Sequence, residues 1–271
     1  MSTARRVAPR TALFLPASNA RAIEKARGLG ADMILLDLED SVRDELKDAA
    51  RSAAVAAAAE GFGHRLVAIR INGSERGEHE ADVAAVAGSA ADFIVLPKVE
   101  TAEEAARVAQ ATGKPLLAMI ETPLGVLAAA EIAAVECVQG LIAGTNDLKA
   151  TLGIPADAGR ENLSLALQTI VLAARASGGW ALDGVFNALD RPDDLAAECR
   201  HGRRLGFDGK TLIHPNQIEI AAAAFGPSEA ELAEARELLA AFTGGAERFR
   251  DRMIEAMHID QARALIERAG G

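Results

Sequence analysis

The sequence predicts an α/β fold, a (β/α)8 TIM barrel, and three observations carry that expectation. Eight short apolar runs alternate with helical patterns along the chain. The runs stop abruptly at proline, asparagine, histidine or acidic residues, as strands do when they deliver polar groups to the carboxyl edge of a parallel sheet. No glycine-rich phosphate loop follows the first run, where a doubly wound sheet would place one. Ala17-Ser18-Asn19 stands there, and neither GxGxxG nor GxxxxGK occurs.

Residues 11–15 (TALFL) read as the first strand, closed at Pro16, and 21–28 as the first helix. The second strand, 33–38, runs into Asp37, Glu39 and Asp40 and is followed by a long alanine-rich helix over 43–60, stopped by Gly61. A third strand, 66–71, ends at the turn pair Asn72-Gly73. Helix 80–86, strand 93–96 and helix 102–112 come next, then strand 116–120 with Glu121 directly after it and helix 125–135. Strand 140–143 is followed by Gly144-Thr145-Asn146-Asp147, and helix 162–177 precedes the seventh strand, 181–186. Helix 193–205 and strand 209–213, ending at His214-Pro215, complete the alternation. An amphipathic helix over 229–242 follows, then a Gly244-Gly245 hinge and a last charged helical segment.

The chain of 271 residues suits one barrel, which needs about 250 residues, plus an appendage. The expected division is a barrel over 1–243 and a C-terminal helical extension or lid over 244–271. Half the residues are apolar but only 3% are aromatic, so small side chains must fill the space between helices and strands. A net charge of −10 argues against a nucleic-acid surface, which needs a basic field. Cys137 and Cys199 lack CxxC spacing and read as buried free thiols of a reducing cytoplasm. No apolar stretch reaches the length of a signal core or a membrane span, so a cytoplasmic protein is expected.

In a barrel all strand ends face one mouth. That rule gathers Asp37, Glu39, Asp40, Arg70, Asn72, Lys98, Glu121, Asn146, Asp147, Asn187 and His214. Several carboxylates around one arginine suit a hard divalent cation and an anionic substrate. Glu121 and Asp147, each read alone, serve equally well as helix caps. As a pair on adjacent strands they favour metal ligation. Arg70 reads as either a buried ion pair or a bidentate grip on a substrate carboxylate or carbonyl. Lys98 is either a Schiff-base lysine or the partner of nearby acids, and this much acid favours the second.

These residues sit in blocks that carry a resemblance. LFLPASNARAIEKA, ILLDLEDSVRDELKDAAR, VAIRING, IVLPKVE, AMIETPLGV, GTNDLKATLG and GKTLIHPNQI, in that order over about residues 10–217, resemble the citrate lyase β-subunit (CitE-like) group of the HpcH/HpaI aldolase family. The resemblance implies a barrel of the pyruvate/phosphoenolpyruvate type, assembled as homotrimers or dimers of trimers. It implies Mg²⁺-dependent cleavage or formation of 3-hydroxyacyl-CoA thioesters such as citryl-, malyl- or citramalyl-CoA, with an acyl-CoA and an α-keto acid as the fragments.

It further implies that Glu121 and Asp147 ligate Mg²⁺, that Arg70 meets the keto acid, and that Asp37, Glu39 and Asp40 support the metal's waters and the cations. Phe14, Arg21, Lys25, Asn146, Ile213 and His214 would line the substrate or CoA site, with Lys47 and Arg51 as further phosphate contacts. Many members carry an MID-P motif in the lid, whose aspartate reaches a neighbouring subunit. Here Met253-Ile254-Glu255-Ala256 stands in its place, which makes Glu255 the candidate for proton transfer. Ala17 replaces the family's glycine after the first-strand proline, and Asn19 its usual basic residue. The alternatives are a CoA-free, metal-dependent 2-keto acid aldolase and a non-catalytic subunit that binds CoA esters.

Overall fold

The computed structural model describes residues 7–155 and 157–270. Eight parallel strands close into a barrel in chain order: β1 (Thr11–Pro16), β2 (Met33–Asp37), β3 (Leu66–Arg70), β4 (Phe93–Leu96), β5 (Leu116–Ile120), β6 (Val138–Ala143), β7 (Trp180–Asp183) and β8 (Gly209–Leu212). Between them run α1 (Ala20–Ala26), α2 (Lys47–Glu60), α3 (His79–Ala87), α4 (Ala102–Thr112), α5 (Pro123–Leu127), α6 (Ala129–Ala133), α7 (Thr145–Thr151), α8 (Ser164–Ser177), α9 (Pro192–Leu205) and α10 (Ile218–Phe225).

Most strand residues are apolar because both faces of the strands are covered, with β8 (GKTL) the most polar of the eight. Alternation then sorts the side chains. Ala12, Met33, Leu35, Ala68, Leu117 and Met119 fill the barrel interior with Trp180 and Phe93, whose rings pack at 5.3 Å between centroids. Leu13, Ile34, Leu36, Ile69 and Ile120 point outward, under alanine-rich helices such as α2. The same parity carries Phe14, Asp37, Arg70 and Glu121 onto the interior side of their strands, one step above that core. This is how a run of core residues ends in chemistry.

Two local expectations are corrected, and a helix the sequence reading left out, α10, packs on β8, β1 and α9 ahead of the amphipathic one. That later helix, α11 (Glu229–Ala241), packs instead with the tail, which is a short antiparallel hairpin, β9 (Glu247–Phe249) and β10 (Arg252–Ile254), leading to α12 (Ala256–Gly270). Ala235, Leu238, Phe249, Ile254, Ile259 and Ala262, from α11, the hairpin and α12, form a small core of their own. Finally, both cysteines are free, but Cys137 is exposed and only Cys199 is buried. Among the described residues no helix is long and apolar enough to cross a membrane.

Candidate active site

The centre of the barrel mouth is an aspartate–arginine pair. Asp37 and Arg70 are register partners on the adjacent strands β2 and β3. Arg70 donates from Nε and Nη2 to the two oxygens of Asp37 at 2.6 and 2.8 Å, a bidentate grip that fixes the guanidinium plane. The Phe14 ring lies under that plane, 4.8 Å from Cζ. Asp37 also accepts from the amides of Glu39 and Ser41 and from the Ser41 hydroxyl. Burial pushes the Asp37 carboxyl up, but the charge of Arg70 and these hydrogen bonds outweigh it and hold it below its usual range. Arg70, although desolvated, is held above its ordinary value by Asp37, Glu39 and Glu121. It stays charged.

The remaining acids are tied together by Lys98. Its ammonium donates to Glu39 Oε1 at 2.5 Å and lies 3.6 Å from Asp147 Oδ2, while its amide donates to Glu121 Oε1 at 2.9 Å. Glu39 Oε2 lies 2.8 Å from Arg70 Nη1 without hydrogen-bonding alignment. Burial holds the Glu39 carboxyl above its ordinary value despite both cations. Glu121 is pushed up to about 8, first by burial and then by the charges of Glu39 and Asp147. Its position requires Gly144 on the neighbouring strand end, because a Cβ there would stand 2.2 Å from Glu121 Cβ. Asp147 sits in the first turn of α7, where the helix dipole favours an acid.

Five carboxylates (Asp37, Glu39, Asp40, Glu121 and Asp147) thus face two cations (Arg70 and Lys98) around a cavity of about 310 Å³. The surplus of negative charge and the reluctance of Glu121 to ionise mark a place built for a further cation. Among the described residues no group of three or more acidic, histidine or cysteine side chains forms a ready cage. Two carboxylates, Glu121 and Asp147, fit an ion such as Mg²⁺, which takes one or two from protein and leaves the rest to water and substrate.

A second ionic group lies between β7 and β8. Asp183 meets Arg160 at 2.6 Å and Lys210 at 3.2 Å, and Lys210 meets Glu198 at 2.7 Å. Arg160 closes the ring with Glu198 at 3.1 Å. Here burial would raise Asp183, but Lys210 and Arg160 more than offset it and hold the carboxyl low.

Phe14, Asp37, Asp40, Arg70, Glu121, Asn146, Asp147 and Ile213 all line the mouth cavity, and Glu39 stands behind it on Lys98. Asn146 is hydrogen-bonded to Asn187 across the mouth. Arg21 and Lys25 are exposed on α1 and do not line the cavity. His214 acts as a cap, its Nδ1 accepting from the amide of Asn216. Glu255 is exposed ahead of α12 and does not line its own chain's cavity. Lys47 and Arg51 are corrected as phosphate contacts. Lys47 is buried on the carbonyls of Leu38 and Glu39 and on Asn72 Oδ1, and Arg51 is held by Asp82 and Asp48. Sequence reasoning missed Ser41 and Gly144. A glycine directly after a strand, beside a buried acid on its neighbour, was the available signal for the second.

Residues 10–215 match the family model described as HpcH/HpaI aldolase/citrate lyase, about three-quarters of the chain. The chain belongs to this family. Among HpcH/HpaI relatives it is 44% identical to a protein of Cereibacter sphaeroides named (3S)-malyl-CoA thioesterase, over 96% of this chain and 94% of that one. Of solved family structures, CitE of Mycobacterium tuberculosis in complex with magnesium, acetoacetate and coenzyme A superposes with a TM-score of 0.83 at 35% identity, covering 98% of this chain and 100% of that one. The citrate lyase β subunit of the same organism, complexed with oxaloacetate and magnesium, gives 0.73 at 36% identity, covering 81% and 98%.

Proposed function

We propose that the protein is a Mg²⁺-dependent carbon–carbon lyase that cleaves or forms a 3-hydroxyacyl-CoA thioester of the malyl-, citramalyl- or citryl-CoA class. The observation that carries this reading is the Glu121–Asp147 pair and the Arg70 guanidinium opening on one cavity. Glu121 and Asp147 would hold Mg²⁺, which when bound supplies Lewis-acid polarisation of a chelated α-keto acid. That solved family members carry magnesium with coenzyme A or a keto acid supports both ligand classes.

The chain's own groups divide the remaining work. Arg70 presents fixed donors to the oxygen on which negative charge develops as the carbon–carbon bond breaks, and it needs no reorganisation because Asp37 and Phe14 already hold it. Asp37 is fully engaged by Arg70, Ser41 and the Glu39 amide, so its part is positioning. Glu39 fixes Lys98 and flanks Arg70. Arg21 and Lys25, exposed and one helical turn apart on α1, offer phosphate contacts for CoA, and Asn146 and Ile213 border the acyl portion. Glu255, exposed and away from its own mouth, is assigned to proton transfer at the mouth of a second copy in a homotrimer.

The 44% identical relative supports a second reading, hydrolysis of the same thioesters. Product analysis separates the two. Malyl- and citramalyl-CoA are incubated with the protein and Mg²⁺, and the products are resolved by chromatography. A lyase yields acyl-CoA and a 2-oxo acid, whereas a thioesterase yields free CoA and the hydroxy acid. If no CoA ester is consumed, both readings fail, and the CoA-free aldolase or a binding subunit takes their place.

A further inference from the structure

Lys98 is one of only two non-glycine residues among those described with a left-handed backbone, at φ 52°. A Cβ strains that conformation, and a lysine gains nothing local from it. The strain therefore has to be held by what surrounds it. Two contacts of this residue depend on the backbone being turned this way. Its amide points at Glu121 Oε1, 2.9 Å away, and its side chain leaves the strand end toward Glu39 and Asp147. One residue thereby touches both carboxylates assigned to the metal, the first through its backbone and the second through its ammonium.

We propose that Lys98 is the positioning residue of the metal-binding pair, its left-handed amide fixing Glu121 and its ammonium bracing Asp147 and Glu39. The inference rests on the reading of Glu121 and Asp147 as the Mg²⁺ ligands. Glu121 and Asp147 come from successive strand ends and repel one another. The short contact to Glu39, 2.5 Å, anchors the ammonium, and the longer one, 3.6 Å to Asp147, draws that carboxylate in without capturing it. The amide bond meanwhile occupies Glu121 Oε1, while Oε2 lies on the Gly144 side. Lys98 is thus not a Schiff-base residue here. It is a two-ended clamp.

The test is Mg²⁺ titration of the substrate-free full chain by calorimetry, with Lys98→Arg, Lys98→Gly and Lys98→Ala beside the unaltered protein. Lys98→Gly keeps the left-handed backbone and loses the ammonium, whereas Lys98→Ala loses the ammonium and strains the backbone. Because both lack the charge, their difference reports the amide alone. Lys98→Arg should bind within about threefold of the unaltered protein, Lys98→Gly roughly 10-fold more weakly, and Lys98→Ala about another fivefold more weakly. Thermal unfolding of each variant identifies any that binds poorly only because it is not folded. Equal affinity in Lys98→Ala and the unaltered protein, or tighter binding in either charge-free variant, overturns the proposal. Equal affinity in Lys98→Gly and Lys98→Ala overturns the amide's part in it. Failure of the unaltered protein to bind Mg²⁺, with Glu121→Gln and Asp147→Asn indistinguishable from it, would instead sink the reading of the metal pair itself.

Discussion

Two buried ionic groups sit on the same barrel and differ in one respect. Between β7 and β8, Asp183 and Glu198 meet Arg160 and Lys210, two acids against two cations, and Asp183 is held low. At the mouth, five carboxylates meet Arg70 and Lys98, and Glu121 is pushed up to about 8. The first group balances its own charge and fastens the segment around Arg160 to the strands, although Arg160 and Glu198 also border a cavity. The second is short of positive charge. Burial of charge alone does not mark a site, because both groups have it. The imbalance marks the site, since it leaves something for a ligand to complete.

Breaking the unbalanced group should cost activity, and breaking the balanced one should cost stability. Glu121→Gln or Asp147→Asn should lower turnover by on the order of 10³-fold or more, the several kcal/mol a Lewis-acid cation supplies, and the double variant should add little further. Steady-state kinetics with Mg²⁺ in excess checks both statements. Asp183→Asn leaves Lys210 and Arg160 short of a partner in the interior, and should reduce unfolding free energy by about 3–5 kcal/mol in a denaturant titration. Mg²⁺ affinity in that variant should be unchanged. If it falls with stability, the two groups are not the independent units described.

The pH responses sharpen the contrast because their signs are opposite. Glu121 is raised from 4.5 to about 8, so the folded protein holds its proton more tightly than the unfolded chain does. Its contribution to stability is complete below pH 4.5 and is lost as pH rises toward 8. Metal-free Glu121→Gln should therefore match the unaltered protein near pH 4.5 and exceed it in stability at pH 8. Asp183 is lowered, so its contribution is present at neutral pH and lost only on acidification below its ordinary range. Denaturant curves at three pH values test both signs. The smallest effect concerns the thiols. Cys199, buried beside Lys210 and Asp183, is pushed up to about 11 and should resist a thiol reagent at pH 8 until the chain unfolds, whereas exposed Cys137 should react at once.

Much of the barrel was legible because parallel strands buried on both faces leave continuous apolar runs. Residues 93–96, 102–112 and 116–120 were bounded to the residue. Helix α10 was not, since IEIAAAAF is short and has no charged stripe, and the amphipathic α11 with its Ser228–Glu231 capping box gave a far stronger helical signal. The hairpin of the tail escaped because its strands, ERF and RMI, are only three residues long and half charged. At the mouth, the convergence of strand ends gathered Asp37, Arg70 and Glu121 in advance, and the dense acids of residues 37–40 advertised the place. What sequence could not supply was the use of each charge. Lys47 was expected to meet CoA phosphates, yet its stem carries the ammonium inward to two carbonyls and Asn72.

The ring packing of Trp180 and Phe93 has a practical corollary. The chain contains one tryptophan and no tyrosine, so its ultraviolet emission comes from a single indole sealed inside the strand cylinder. Emission wavelength will follow the opening and closing of the barrel and stay insensitive to ligands arriving at the rim. Any spectral shift provoked by a ligand would then be a sign that the cylinder itself has moved.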